Sequence, residues 1–327
     1  MVFERNKKMI NLESLVKKFF KEKRSLPEVS FDFLKKENFK KIVLVGLGGS
    51  GLAARMIVSL KEEIGLKKDV DLILCQDYSL PKNLPKKEIL VIIISYSGKT
   101  KETLNCLQEA KRKKLPIIVI SVNSLLGKKL RKEKIDFFLL EETISPRFSL
   151  WQQLFLLLAI FKELKLIEKE IKIPSLEIEE IIKKAKKISR NFSGKIILIY
   201  SSIKNSFLAY HLKIHLNEDG KFLAFSNCLP EAVHNEFLSL SKNKKEVGLI
   251  FLEEDEKNPL FKKHLQAIFK NLQAENIRFW QINFGRKNLE NYLKQTIFNA
   301  VFSFYLAKKN KENILANSFL RKIKKDF

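Results

Sequence analysis

Two short turns rich in glycine and hydroxyl side chains are the first residues that could do chemistry. Residues 46–51 (GLGGSG) follow the apolar run 42–45, and residues 95–100 (SYSGKT) end the apolar run 88–95. Backbone N–H groups at a helix start, together with short hydroxyls, bind phosphate. In a parallel sheet both turns would lie at the carboxyl ends of strands, where ligands bind. The pair predicts a phosphomonoester site formed by Gly48, Gly49, Ser50, Ser95, Ser97 and Thr100.

Both turns also have simpler interpretations. Serine and threonine are ordinary helix N-caps, and a glycine turn can be purely structural. Gly46, Gly48 and Gly51 also satisfy the dinucleotide pattern G-x-G-x-x-G, with Asp77 after the second predicted strand as the candidate ribose ligand. No Lys-Ser or Lys-Thr pair follows the first turn, so a nucleoside-triphosphate loop is excluded.

The chain is long enough for two domains with proper cores. It has 327 residues, of which 45% are hydrophobic and 30% charged, as in globular proteins. The apolar run 150–161 is too short to span a bilayer, and the first residues, MVFERNKK, lack a signal-peptide core. The three cysteines, Cys75, Cys106 and Cys228, form no metal motif and are predicted to be reduced, buried thiols. We therefore expect a cytoplasmic protein.

The net charge of +25 has two interpretations. A strongly basic protein can bind nucleic acid or a membrane surface. Here lysine greatly outnumbers arginine, and the lysines are scattered over nearly every predicted helix. We favour a compositional bias of the genome, and we expect neither a nucleic-acid nor a membrane partner.

Strands and helices alternate through both halves of the sequence. Apolar runs at 42–45, 70–75, 88–95 and 116–122 are separated by helical patterns, and runs at 195–200, 222–226, 246–252 and 278–284 repeat the arrangement. Such alternation predicts an α/β fold with two doubly wound, parallel-sheet subdomains. We place the boundary so that the subdomains are residues 1–150 and 151–327.

The histidines do not predict a metal site. His211 and His215 are four residues apart and would share a helix face, as metal ligands can. No carboxylate completes an H-E-x-x-H pattern, so we interpret both as surface or core histidines and expect no metal and no cofactor. Glu218 taken alone reads as a solvated carboxylate at a helix end.

Four segments together resemble a known family. GLGGSGLAAR, SYSGKTKETL, SPRFSLWQQL and HLNEDGKFLAFSNCLPEAVHNE are similar to the sugar isomerase (SIS) fold, and most closely to bifunctional phosphoglucose/phosphomannose isomerases. The resemblance covers nearly the whole chain in the right order. It implies that the hydroxyls of the two turns hold a sugar phosphate. It also implies that the first subdomain carries the phosphate turns and the second the catalytic Glu and His.

The resemblance also implies roles for individual residues. Arg147 stabilises a cis-enediolate, Glu218 moves a proton between C1 and C2, and His234 opens the sugar ring from the partner subunit of a homodimer. Isomerisation through an enediol needs such a carboxylate base and a cation near the developing oxyanion. This route needs no metal.

The sequence departs from the family pattern in several places. It reads Ser-Pro-Arg before the long apolar helix, and PEAVHNE around His234, and a basic residue usual near Tyr210 is missing. The usual C-terminal lysine corresponds to Lys322 or Lys324, with Lys324 our choice for the catalytic set.

The expected function is interconversion of glucose 6-phosphate and fructose 6-phosphate. Mannose 6-phosphate is the less secure second substrate. Two alternatives stay open: a SIS protein that binds a sugar phosphate without turning it over, and an NAD-dependent dehydrogenase that uses the glycine turn and Asp77.

Overall fold

The computed structural model describes residues 12–22, 25–35, 37–192, 196–255, 258–314 and 322–323. Two parallel sheets, each flanked by helices, account for most of these residues. The α/β class and the parallel sheets predicted from the sequence are confirmed. The division into subdomains at residue 150 stays a prediction.

The first sheet has five parallel strands in the order β2-β1-β3-β4-β5. All six residues of the central β3 are buried, because helices cover both faces of the sheet. The strands are β1 (Lys41–Val45), β2 (Asp71–Cys75), β3 (Ile89–Ile94), β4 (Ile117–Ser121) and β5 (Asp136–Leu139). The strand order reverses between β1 and β3, and the two glycine turns follow these two strands. This is the position at which doubly wound sheets bind ligands.

Among the described residues, five helices belong to this half of the chain: α1 (Leu12–Glu22), α2 (Leu52–Ser59), α3 (Lys101–Arg112), α4 (Ser124–Lys132) and α5 (Leu150–Glu163). A short 3₁₀ turn, Gly48–Gly51, precedes α2, and a second, Pro146–Ser149, precedes α5. The helix α5 packs against α2 on one face of the sheet. It buries eleven of its fourteen residues, as expected for a run that is apolar on all sides.

The second sheet has four parallel strands in the order β7-β6-β8-β9. The strands are β6 (Ile196–Ser202), β7 (Leu223–Leu229), β8 (Val247–Glu253) and β9 (Phe279–Asn283). Its helices are α6 (Ile178–Asn191), α7 (Ser206–Glu218), α8 (Pro259–Ala274) and α9 (Leu289–Lys309). The edge strand β7 is longer than the predicted run 222–226.

One hydrophobic cluster joins the two halves. The helix α6 packs along α9, and α7 contacts both α2 and α9, so the helices form a layer between the sheets. Residues of both halves, such as Ile57 and Leu212, are fully buried in the same cluster. This layer holds the carboxyl end of α7 close to the 3₁₀ turn that precedes α5.

The buried carboxylate of Asp136 fixes the segment that enters the first sheet. Its two oxygens accept the backbone N–H groups of Asp32 at 2.7 Å, Leu34 at 2.6 Å and, more weakly, Phe33. Asp136 is only 5% exposed, so these donors replace the water that the carboxylate loses on folding. The contact fastens residues 32–34 to the edge strand β5.

We expect Asp136→Asn to lower the free energy of unfolding by about 1–3 kcal/mol, because one carboxylate oxygen becomes an amide that cannot accept these N–H groups. Urea unfolding followed by circular dichroism measures the change. An unchanged midpoint would show that the Asp136 contacts contribute nothing to stability.

Candidate active site

The first glycine turn places Ser50 at the end of β1. Gly48 has a φ of +53°, a backbone conformation that glycine adopts without strain. The Ser50 hydroxyl accepts the backbone N–H of Tyr96 at 3.0 Å, and Ser50 is 8% exposed. The first predicted turn is therefore joined directly to the second.

The second turn presents hydroxyls in two different environments. The Ser95 hydroxyl is buried and accepts a hydrogen bond from the Thr103 hydroxyl at 3.2 Å. Ser97 is exposed and accepts the N–H of Lys99 at 3.2 Å. Thr100 is the N-cap residue of α3, but its side chain makes no capping hydrogen bond. The Thr100 hydroxyl is thus not used as a cap, which favours the phosphate interpretation at this position.

Tyr96 links the two turns to the loop before α5, a connection that the sequence analysis missed. Its phenol oxygen accepts the N–H of Thr143 at 2.6 Å and donates to the Thr143 carbonyl at 3.0 Å. Its backbone N–H donates to Ser50, as described above. The tyrosine inside the SYSGKT turn was the available signal.

Gly49 allows the first turn to touch the 3₁₀ turn that carries Arg147. A Cβ atom at Gly49 would lie 2.6 Å from the backbone nitrogen of Arg147 and 2.9 Å from the carbonyl carbon of Pro146. No side chain fits at that separation. The absence of a side chain at Gly49 is what brings Arg147 beside the phosphate turns.

Arg147 and Glu218 contact each other directly, although 71 residues separate them in sequence. The Arg147 Nη1 group donates to Glu218 Oε2 at 2.7 Å. Arg147 is buried, whereas 43% of the Glu218 side chain is exposed. Glu218 is the last residue of α7. The guanidinium fixes one side of its carboxylate, and the other side is open to solvent. Two predicted catalytic residues therefore share one site.

Asp219 is a further site residue, which sequence analysis missed. It is fully buried, accepts Arg147 Nε–H at Oδ1 at 2.6 Å, and lies with Oδ2 2.6 Å from Nδ1 of His215. Burial alone would raise the pKa of Asp219, but the hydrogen bond from His215 and the charges of His215 and Arg147 outweigh it and lower the pKa. The available signals were the second carboxylate in NEDGK and a histidine four residues before it.

Lys221 adds a second cation at the end of α7. Its ammonium donates to the backbone carbonyl of Glu218 at 2.5 Å. Burial and the positive charge of Arg147 lower the pKa of Lys221, against the opposing effect of Asp219, Glu218 and Glu312. The end of α7 therefore brings two carboxylates and the ammonium of Lys221 together with the guanidinium of Arg147.

His211 and His215 lie in the core rather than at a metal site. Each is 1% exposed, and their ring centres are 4.6 Å apart. Burial, followed by the charge of His215, places the pKa of His211 well below its ordinary value. Within the described residues, no group of three or more histidines, cysteines or acids is placed to hold a metal.

His234 lies far from Glu218 in the same chain. It is exposed on the 3₁₀ turn Glu231–His234, which follows β7, whereas Glu218 precedes that strand. Seven strand residues span about 20 Å, so the two side chains lie at opposite ends of β7. Glu236 fastens the His234 turn to the sheet, because its carboxylate accepts from Tyr200 at 2.9 Å and from Asn227 at 2.5 Å.

The chain after α9 returns to the site. The carbonyl of Ile314 accepts the Arg147 Nη2 group at 3.1 Å. Lys322 is exposed, and Lys324 lies outside the described residues. The role given to Lys324 stays a prediction.

The surroundings of Gly46 leave little to support the dinucleotide alternative. Asp77 is exposed, and its carboxylate accepts the neighbouring N–H of Tyr78. Gln76 occupies the space beside the glycine turn and donates to the Gly46 carbonyl at 3.0 Å. Arg55 in turn donates to Gln76, so that protein side chains fill this edge of the turn.

Arg55 also supplies a cation near Tyr210, where the family's usual basic residue is missing. Its guanidinium carbon lies 4.1 Å from the centre of the Tyr210 ring. Lys213 of α7 lies over the same ring, with its Nζ 5.4 Å from the centre, so α2 and α7 both supply positive charge here.

Among the described residues, no helix has the length and apolar character needed to cross a membrane. Cys75 and Cys106 are buried and Cys228 is partly buried, all as free thiols.

Sequence comparisons agree with this architecture. Residues 35–162 match the SIS domain model, and residues 181–327 match the model described as "Bacterial phospho-glucose isomerase C-terminal SIS domain". The bifunctional phosphoglucose/phosphomannose isomerase of Aquifex aeolicus is 30% identical over 225 residues, which cover 66% of this chain and 68% of the relative. The Thermoplasma volcanium protein of the same name is 28% identical over 304 residues, or 91% and 95% of the two chains.

A solved structure supports the fold. The glucosamine-6-phosphate deaminase of Thermotoga maritima superimposes with a TM-score of 0.63 at 14% identity, and the match covers 93% of each chain. At that identity the likeness shows the fold alone. The Aquifex match and the two domain models go further: the chain belongs to the bifunctional phosphoglucose/phosphomannose isomerase family of SIS-fold proteins.

Proposed function

We propose that this chain interconverts glucose 6-phosphate and fructose 6-phosphate, with Glu218 as the base. The observation that carries the proposal is the contact between Arg147 and Glu218 beside the phosphate turns. The names of the relatives support the substrates, and the site supports the chemistry.

The proposed reaction is a proton transfer through an enediol. With glucose 6-phosphate in its open form, the Glu218 carboxylate takes the C2 proton, and the C–H electron pair forms the C1–C2 double bond. The carbonyl electrons move to the C1 oxygen, which becomes negatively charged. Return of the proton to C1, with the O2 hydroxyl proton moving to O1, gives fructose 6-phosphate. General base catalysis of this kind contributes about 10²- to 10⁴-fold.

Each end of the substrate has a place in this scheme. Ser50, Ser97 and Thr100, with the backbone N–H groups of both turns, bind the phosphate, while Ser95 supports the second turn from its buried position. Arg147 lies next to the first turn and keeps its Nη1 edge toward Glu218. A cation fixed there stabilises the oxyanion of the enediolate.

We propose a homodimer in which His234 opens the sugar ring at the partner's site. The separation of His234 from Glu218 along β7 supports this arrangement. Exposed apolar side chains on β7 support a surface for the second copy. Leu223 and Phe225 are exposed and lie opposite Ile196 and Leu198 of β6, which are half-buried against the neighbouring core. Exposed apolar side chains grouped at a sheet edge are typical of protein interfaces.

Mannose 6-phosphate fits the same scheme, because the enediolate has lost the configuration at C2. Return of the proton to one face of C2 gives glucose 6-phosphate, and return to the other gives mannose 6-phosphate. The names of the relatives support this second activity.

The three free thiols support a reducing, cytoplasmic location, in which the reaction would serve glycolysis and gluconeogenesis.

A coupled assay tests the function. Purified protein in EDTA receives fructose 6-phosphate, and glucose 6-phosphate formation is followed, with mannose 6-phosphate in a parallel reaction. We expect turnover on the order of 1–10³ s⁻¹. Stabilisation of the protein by these sugars without turnover would favour the binding protein instead. Absence of both responses would refute the sugar-phosphate proposal, and a fluorescence change of NADH on mixing would favour the dehydrogenase.

A further inference from the structure

The guanidinium of Arg147 donates hydrogen bonds to two carboxylates, of which one is buried and the other is partly exposed. Asp219 is fully buried and takes the Nε edge, while the half-exposed Glu218 takes Nη1. Asp219 makes no contribution to the proposed chemistry, because no solvent or substrate reaches it. A buried carboxylate next to a catalytic arginine therefore has a function still to be assigned.

The second oxygen of Asp219 is also fixed, by a residue of α7. This oxygen lies 2.6 Å from Nδ1 of His215, one helical turn earlier. The His215 ring packs edge-on against Phe148 at 5.4 Å, and Ser303 of α9 donates to the His215 carbonyl at 2.7 Å. The carboxylate cannot rotate away from Arg147 without breaking these contacts.

We propose that Asp219 is a positioning residue that orients Arg147 beside Glu218. The proposal rests on the proposed function. Asp219 accepts Arg147 Nε–H at 2.6 Å, and the Nη1 group of the same guanidinium lies 2.7 Å from Glu218 Oε2. A charge-assisted hydrogen bond to a buried carboxylate on one edge of the guanidinium fixes the direction of the other edge.

The other charges around the two carboxylates come from three elements. His215 faces Asp219 from α7, Lys221 lies just beyond α7, and Glu312 acts on Lys221 from the segment after α9. None of them occupies the Nε edge of Arg147. Asp219 is therefore the charge whose removal changes the guanidinium most directly.

The test is the steady-state kinetics of Asp219→Asn. The amide keeps the shape and can still accept from Arg147, but the charge-assisted hydrogen bond to the guanidinium is lost. We expect kcat to fall about 10-fold, because Arg147 is then less firmly placed beside Glu218 and the developing oxyanion, with a smaller change in KM.

Asp136→Asn is the matched control. Asp136 is another buried aspartate, but its oxygens accept backbone N–H groups at the edge of the first sheet. This variant should lose stability and keep the wild-type kcat and KM. A loss of stability alone therefore cannot imitate the expected result.

A second pair of variants keeps the proposal testable if Asp219→Asn fails to fold. His215→Asn retains a donor near the Nδ1 position, whereas His215→Leu removes it at similar volume. We expect the Asn variant to keep more of kcat than the Leu variant. Equal kcat values in the two variants would overturn the proposal.

The remaining outcomes are distinct. A folded Asp219→Asn protein with the wild-type kcat overturns the role of Asp219 and leaves the isomerase intact. A wild-type protein without turnover overturns the proposed function and this inference together.

Discussion

Glu218→Gln is expected to lower kcat for fructose 6-phosphate by about 10²- to 10⁴-fold, the range for loss of a positioned base. The amide oxygen of the variant can still accept from Arg147 Nη1, so the arginine stays in place. What is lost is the ability to take a proton from carbon. The phosphate turns are unaffected, and binding of the sugar phosphate should therefore persist.

The experiment needs both a rate and an affinity. Coupled assays give kcat, and thermal shift in the presence of fructose 6-phosphate reports binding. Glu275→Gln is a matched control, because Glu275 is an exposed glutamate at the end of α8 and should leave kcat unchanged. Wild-type kcat in Glu218→Gln would rule out Glu218 as the base. Loss of binding together with kcat would assign it a different role.

The parts of this fold that the sequence predicted are those set by local patterns. Apolar runs such as that of β3 are buried on both faces, and glycine and serine after a strand end it with a turn. The helix α4 was not predicted, although Asn123 caps it by accepting the N–H of Leu126 at 3.1 Å. Gly127 inside α4 lowers its helical propensity. The reason for this glycine is tertiary, because the ring of Phe137 fills the space of a Cβ.

The candidate site, like the fold, was only partly predictable from the sequence. The resemblance supplied Arg147 and Glu218, but their contact depends on helices that join the two halves of the chain. Asp219 looked like one more charged residue at a helix end. Its burial comes from Arg147, 72 residues earlier, and from packing around His215. No local pattern carries that information.

In the proposed reaction, His234 is the residue that a single chain does not bring to Glu218. Its turn is attached to the sheet through Glu236, and the seven residues of β7, about 20 Å long, lie in sequence between Glu218 and this turn. A motion large enough to join the two would have to break the parallel pairing of β7 with β6. A second copy of the chain can supply the histidine without any such change.

We therefore expect inactive variants to restore each other. His234→Ala alone should lose about 10²-fold in turnover, and Glu218→Gln alone at least as much. When the two are unfolded, mixed and refolded, each heterodimer has one site with both groups intact. Random pairing in a two-fold dimer then returns about one quarter of wild-type activity. The coupled assay on the refolded mixture measures it.

The outer face of β7 supplies the control for this experiment. Phe225→Glu places a charge on the proposed interface, whereas Leu260→Glu alters a still more exposed apolar residue on α8. Introduced into both inactive chains, Phe225→Glu should prevent restoration and give monomers in light scattering, while Leu260→Glu should do neither. If refolded heterodimers form and remain inactive, His234 does not act at the partner's site. The ring would then have to open without it, because β7 keeps His234 away from Glu218 of its own chain.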